Sequence, residues 1–323
     1  MNDPLSPFFH FREFRWEDIP AIVDISNLTW PDDPNTVEKE EYDERTYPAD
    51  NPRLRVAVEN AAGQFIGLGV CLRPFWMQAP GVYFVWLIVH PDWRRRGIGQ
   101  ALLPQLEAYG RAQGADKLWA GCREDHDYSS RFLEQAGYHN FGRRFESMLD
   151  LTTFDITPYA AVFDRVQQVG FEIVNYVAES AINPTTYAQL FELDEATRGD
   201  VPWPGGARSV MTEEQFRQRF FEAPNADPSG IFIAKQHGRF AGFTMVKYEP
   251  DHPAHTMMTG VRREYRGHGL ALALKVRSIQ QMIERGCTQA LTNNDTANPS
   301  ILHLNERLGY QKRPADLQWE KRL

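Results

Sequence analysis

The chain of 323 residues is poor in cysteine, in excess positive charge and in long apolar runs, and each shortage removes a class of protein. Three cysteines, Cys71, Cys122 and Cys287, are odd in number and show no paired spacing, which argues against a disulfide framework or a zinc site. No metal is expected. A formal net charge of -8 disfavours nucleic acid as the main partner, because holding a phosphate backbone needs a basic face. No apolar run approaches the roughly 20 residues that span a bilayer. Met1-Asn2-Asp3-Pro4 has neither the basic nor the apolar region of a signal peptide, so the expected location is the cytoplasm, with no membrane partner. What the chain does have is 42% hydrophobic and 12% aromatic residues, enough for packed cores, and a length that suggests two domains.

The most patterned stretch is Val85 to Leu103, an apolar run, a turn with three arginines and two glycines, then a helical pattern. Ile98, Ala101, Leu102, Leu106 and Tyr109 recur at helical spacing, so the helix opens at the glycines and its unpaired N–H groups face back into the turn. Such a place suits a phosphate. Gly97 and Gly99 let backbone approach the anion, the helix dipole favours negative charge, and Arg94, Arg95 and Arg96 offer charge-assisted hydrogen bonds.

The stretch occurs twice. Gly97 maps to Gly269, a shift of 172 residues, and the same shift carries Val89 to Val261, Arg94 to Arg266, Gly114 to Gly286 and Gly137-Tyr138 to Gly309-Tyr310. An unbroken register over these landmarks makes the chain a tandem of one unit. The expected division is residues 1–151, a linker and connecting helix at 152–170, and residues 171–323. Each copy reads as a mixed α/β unit of strands and helices; the strand at 145–151 is expected to close the first.

Both copies carry Arg-x-x-Gly-x-Gly/Ala (Arg94, Gly97, Gly99; Arg266, Gly269, Ala271) after an apolar strand, and a Gly-aromatic pair after a later helix. In this the chain resembles the GNAT superfamily of acyl-CoA-dependent N-acyltransferases in its two-domain form. The resemblance implies a twisted mixed sheet with helices on both faces in each copy, and acetyl-CoA, or another acyl-CoA, in a V between the fourth and fifth strands. It places the cosubstrate against Leu87, Ile88, Val89, Arg94, Arg95, Arg96, Gly97, Ile98, Gly99 and Gln100 in the first copy. In the second the matching positions are Thr259, Gly260, Val261, Arg266, Gly267, His268, Gly269, Leu270 and Ala271, with Asn298 at the family's CoA-contacting asparagine. Asn298 could equally cap the helix it precedes.

Acyl transfer from a thioester to an amine also needs an oxyanion donor and a route for protons. Many family members place a tyrosine four residues before the glycine of the Gly-aromatic pair as the acid; here Leu133 and Asn305 stand there. The second copy is more polar after its fifth strand, Thr292-Asn293-Asn294-Asp295-Thr296-Ala297-Asn298, whereas the first has His126 at the asparagine's place. Turnover is therefore expected in the second copy, with a base drawn from His255, Asp200 or Asp295, and Asn305 nearby. Glu124 and Tyr128 are the corresponding candidates in the first. Asp194, Glu195 and Asp200 beside Trp203 would suit a cationic acceptor. The expected protein is an N-acetyltransferase for the primary amine of a small molecule, a monomer or homodimer; the alternative is an acetyl-CoA-binding module or sensor with little turnover.

Overall fold

The structure is a computed structural model that describes residues 8–32, 34–202, 204–248, 253–295 and 298–323. The first copy runs β1 (Phe9–Glu13), α1 (Ile19–Thr29), α2 (Val37–Arg45), β2 (Arg53–Asn60), β3 (Phe65–Leu72), β4 (Met77–Gln78), β5 (Val82–Val89), α3 (Ile98–Ala112), β6 (Lys117–Arg123), α4 (Asp127–Gln135) and β7 (His139–Asp150). The second runs α5 (Ala160–Gln168), β8 (Glu172–Asn175), α6 (Tyr176–Ser180), α7 (Thr186–Arg198), β9 (Arg208–Ser209), α8 (Glu213–Arg217), β10 (Ile231–Gln236), β11 (Arg239–Lys247), β12 (Ala254–Val261), α9 (Leu270–Glu284), β13 (Gln289–Asp295), α10 (Pro299–Arg307) and β14 (Gln311–Arg322). Among the described residues no helix is long and apolar enough to cross a membrane.

Two compact units form, but they do not follow the repeat. Unit 1 takes the chain up to Gly142 together with Leu317–Leu323, and unit 2 takes Arg143–Asp316. In unit 1 the strand order is β1-β2-β3-β5-β6, and the last residues of β14 lie beside β6. There the Leu323 N–H donates to the Asp116 carbonyl at 3.0 Å, and Trp119 Nε1 donates to the Glu320 carboxylate at 3.1 Å. In unit 2 the order is β7-β13-β12-β11-β10-β8. The strand expected at 145–151 begins earlier, at His139, and its stretch Arg144–Asp150 pairs antiparallel with Asp295–Gln289 of β13. Each sheet is thus completed by a strand from the other half of the sequence.

Helical periodicity explains the cores. In α3, Ile98, Leu102, Leu103 and Leu106 are buried against Val56, Val58, Val85 and Leu118 of the unit 1 sheet. Each such side chain contributes roughly 1.5–3 kcal/mol by leaving water. In α9, Leu270, Ala273, Leu274, Val276 and Ile279 do the same for unit 2, and Lys275 is buried among them.

Candidate active site

Both copies open a V in their sheet. The parallel pairing of β5 with β6 covers Val82–Phe84 and stops, while β5 stays paired with β3 as far as Val89. In unit 2, β12 pairs with β13 over Ala254–Thr256 and stops, while it stays paired with β11 as far as Val261. Leu87–Val89 and Thr259–Val261 thus lie on strand stretches whose second edge is open to an added chain, the arrangement in which an extended ligand pairs with backbone.

The turn that follows each V is built by left-handed backbone. Gly97 (φ 80) and Gly269 (φ 82) cap α3 and α9, and neither carries a side chain that would clash there. The position two residues earlier is left-handed in both copies, but it is Arg95 (φ 64) in the first and Gly267 (φ 83) in the second. An L side chain in that region costs of order 1 kcal/mol. Arg95 and Arg96 are exposed, and Arg96 lies over the Trp93 ring. They present free guanidinium charge where helix N–H groups converge.

The first arginine of each motif does something else. Arg94 Nε donates to the Val89 carbonyl at 3.0 Å, Nη1 to the Tyr128 hydroxyl at 3.0 Å and Nη2 to Thr29 Oγ1 at 2.9 Å. It ties the end of β5 to the ends of α1 and α4 rather than reaching into solvent. Arg266 repeats the first bond, Nε to the Val261 carbonyl at 3.0 Å, but its Nη2 pairs with the carboxylate of Asp200. Arg263 holds the same carboxylate, with Nε 3.2 and 3.1 Å from its two oxygens. The hydrogen bonds from Arg263, and then from Arg266, pull the Asp200 carboxyl down to about 2.

In unit 1 the turn and the V share one cleft of about 710 Å³. Its walls include Leu87–Val89, Arg94, Arg95, Gly97–Gln100, Cys122, Arg123, His126 and Tyr128, with Trp30 and Trp86 stacked at a ring distance of 6.2 Å. The Tyr128 hydroxyl accepts from Arg94 and lies 3.4 Å from His126 Nδ1. Glu124 is not among the lining residues.

The candidates of the second copy are mostly engaged with one another. Asn305 is buried and its Nδ2 donates to Asn294 Oδ1 at 2.5 Å; Asn294 Nδ2 in turn donates to Ser147 Oγ at 2.8 Å. Asp295 is buried, with Arg144 Nε 4.0 Å from its carboxylate. Asn298 caps α10, accepting from the Ile301 N–H at 3.3 Å. His255 is half-buried beside the point where β12 and β13 part, and its Nε2 lies 3.2 Å from Asn293 Nδ2. Since an amide nitrogen can only donate, Nε2 accepts in this pose. Of the three carboxylates expected to attract a cation, Asp194 is paired with Arg198 and Asp200 is held as above, while Glu195 is exposed. Trp203, Thr296 and Ala297 lie outside the described residues.

A family model described as the Acetyltransferase (GNAT) family matches residues 22–138 and again 187–310. The chain belongs to the GNAT acetyltransferases. Mycothiol acetyltransferase of Arthrobacter sp. (strain FB24) is 28% identical over 250 residues, covering 75% of this chain and 71% of the relative. That of Thermobifida fusca is 27% identical over 247 residues, 72% of each. A tandem GNAT protein from the clavulanic acid biosynthesis pathway superposes with a TM-score of 0.71 at 20% identity, over 97% of this chain and 98% of that one. A GCN5-related N-acetyltransferase from Sphaerobacter thermophilus gives 0.68 at 18% identity, over 97% and 95%. The fold is thus that of a tandem GNAT protein, and the protein is an N-acetyltransferase of this type. Within this GNAT pair, sequence reasoning missed Thr29, Trp30 and Trp86 in the first cleft, and the anchoring of Arg266 by Asp200. Thr29 and Trp30 stand at the end of α1, 65 residues before Arg94 in the case of Thr29, and Asp200 lies 66 before Arg266, so no local spacing announces them; Trp86 sits in β5 itself and reads as an ordinary strand residue.

Proposed function

We propose that the protein transfers an acetyl group from acetyl-CoA to the primary amine of a small molecule, and that the cosubstrate is held in unit 1. The observation that carries this reading is the single cleft that joins the Arg95–Gln100 turn to the open edge of β5. Acetyl-CoA would supply the thioester. Arg95, Arg96 and the N–H groups at the start of α3 would take its diphosphate, and the backbone of Leu87–Val89 would align the acyl arm and donate to the carbonyl oxygen. The amine nitrogen attacks the carbonyl carbon, the C–S bond breaks, and one proton leaves the nitrogen while the thiolate gains one. Tyr128 and His126, hydrogen-bonded on the cleft wall, are the groups placed to pass that proton.

Turnover in unit 2, the expectation from sequence, remains a second reading, and one observation favours it: His255 and Asn293 stand where β12 and β13 part. Against it, Asp200 is committed to two arginines and too acidic to serve as a base near neutral pH, while Asp295 and Asn305 are buried in polar contacts of their own. The name of the relatives, mycothiol acetyltransferase, supports acetyl transfer as the reaction class.

The test is an acetylation screen over amino sugars, polyamines, amino acids and peptide N-termini, read by release of free thiol, followed by a matched pair of variants. Gly97→Glu and Gly269→Glu impose the same left-handed strain, so their difference reports which turn is used. The loss of kcat/KM in Gly97→Glu should exceed that in Gly269→Glu at least tenfold; the opposite order would place turnover in unit 2. No turnover with any amine, alongside tight acetyl-CoA binding, would favour a sensor.

A further inference from the structure

The two turns differ in what faces the motif arginine. In unit 1 the Nη2 arm of Arg94 rests on a neutral hydroxyl, Thr29, at the end of α1. In unit 2 the same arm of Arg266 rests on a carboxylate, Asp200, just past the end of α7. The second turn also carries a cation the first lacks, since Arg263 stands where the first copy has Pro91, and that cation too is turned onto Asp200. Conversely the free guanidinium groups of Arg95 and Arg96 are replaced by Gly267 and His268. The second turn keeps the backbone of an anion site, with space open around Gly267 and Gly269, but its nearby positive charge already has an anion.

We propose that Asp200 is an intramolecular anion that keeps the second unit's turn from taking a nucleoside diphosphate, so that the chain holds one acyl-CoA until the segment after α7 lets go. The proposal rests on the acetyl-CoA reading. A diphosphate approaching Arg263 and Arg266 meets a carboxylate already bonded to both, and must displace it or accept like-charge repulsion a few ångströms away. In unit 1 the partner of that arm of Arg94 is the neutral hydroxyl of Thr29, so no carboxylate has to be displaced from it. Loss of the carboxylate would release the charge of Arg263 and of the Nη2 arm of Arg266 beside a left-handed glycine turn like the first, two arginines there against three.

Calorimetric titration of the full chain with acetyl-CoA, without acceptor, tests this. Wild type should bind one molecule per chain, lost in Gly97→Glu. Asp200→Asn and Asp200→Thr should bind two, the second at least tenfold tighter than any second event in wild type and abolished by adding Gly269→Glu. Asp200→Thr reproduces the side chain that serves Arg94 and guards against a failure peculiar to the amide, and a melting curve on each variant confirms folding. Two sites in wild type, or one site in both folded variants, overturns the proposal and leaves the acetyl-CoA reading standing. No binding by any form refutes that reading, and the proposal with it.

Discussion

Replacing Lys275 by leucine should make unit 2 more stable, with a pH dependence that identifies the cause. Lys275 is 1% exposed; its buried amine has no hydrogen-bond partner among the described residues and lies 5.0 Å from the centre of the Tyr310 ring. Burial lowers it from 10.5 to about 7. In the unfolded chain the same amine stays protonated up to about pH 10.4, so between those limits the unfolded state binds more protons and the group costs stability. That cost is absent above the unfolded value, grows as pH falls, and is complete below about 7. A shift of this size corresponds to roughly 5 kcal/mol at most; imperfect packing of the new side chain and the lost ring contact reduce the expected gain to about 2–4 kcal/mol at pH 7. The repeat supplies the replacement: Leu103 holds the in-register position in α3 and is buried there. Urea unfolding of wild type and Lys275→Leu at pH 7, 8 and 9 should show the gain shrinking by about 1.4 kcal/mol per unit. A variant that is no more stable, or whose advantage grows with pH, would refute the account of Lys275 as a neutral buried amine.

Other expectations follow from single sites. Arg95→Gly should leave the melting temperature within about 2 °C, because relief of left-handed strain offsets the added freedom of glycine, yet weaken acetyl-CoA about tenfold or more in calorimetry; unchanged affinity would show the side chain plays no part. Cys71 is fully buried and burial pushes its thiol up to about 12, so it should resist iodoacetamide at pH 8 in the folded protein, whereas Cys122, on the cleft wall, should alkylate and be protected by acetyl-CoA. Mass spectrometry of the peptides decides this, and modification of Cys71 before Cys122 would contradict it. Burial raises the Asp18 carboxyl, but hydrogen bonds from Arg12 (2.6 and 2.8 Å) and from the Arg15 N–H (2.7 Å) outweigh that and hold it below the usual carboxylate range. Its stabilisation is present above the unfolded pKa of about 3.9 and lost as pH falls through the lowered one. Asp18→Asn should therefore cost about 2 kcal/mol at pH 7 and progressively less below pH 4; a cost independent of pH would show that charge plays no part.

What could be read from the sequence was whatever local backbone conformation forces on residue choice. Gly97 and Gly269 stand out because the turn needs left-handed backbone, and the Gly-Tyr pairs because Gly137 (φ 85) and Gly309 (φ 87) end α4 and α10 while Tyr138 and Tyr310 drop into the core. The helix that opens at Gly97 was legible from its apolar spacing, with Ile98, Leu102 and Leu106 buried as expected. Strand exchange was not, because β7 and β14 have the same alternation whichever neighbour they pair with. Nor was the role of Arg94: its type and place fit an anion ligand, and only the positions of Thr29 and Tyr128 reveal a brace. Composition also cannot tell which polar groups of the second copy face a ligand and which face each other, as Asn294 and Asn305 do.

The crossing of the closing strands gives this protein an assembly problem in time. A ribosome releases Leu317–Leu323 long after Gly142, so the nascent first half emerges with the edge of β6 uncovered and must keep it from other chains until those residues have emerged. Severing the chain between the copies would give two fragments that each lack the other's strand, and mixing them should restore what neither has alone. Trimming Leu317–Leu323, at the far end of the sequence from Arg95, should damage the amino-terminal cleft before it touches the unit in which most of the second copy resides.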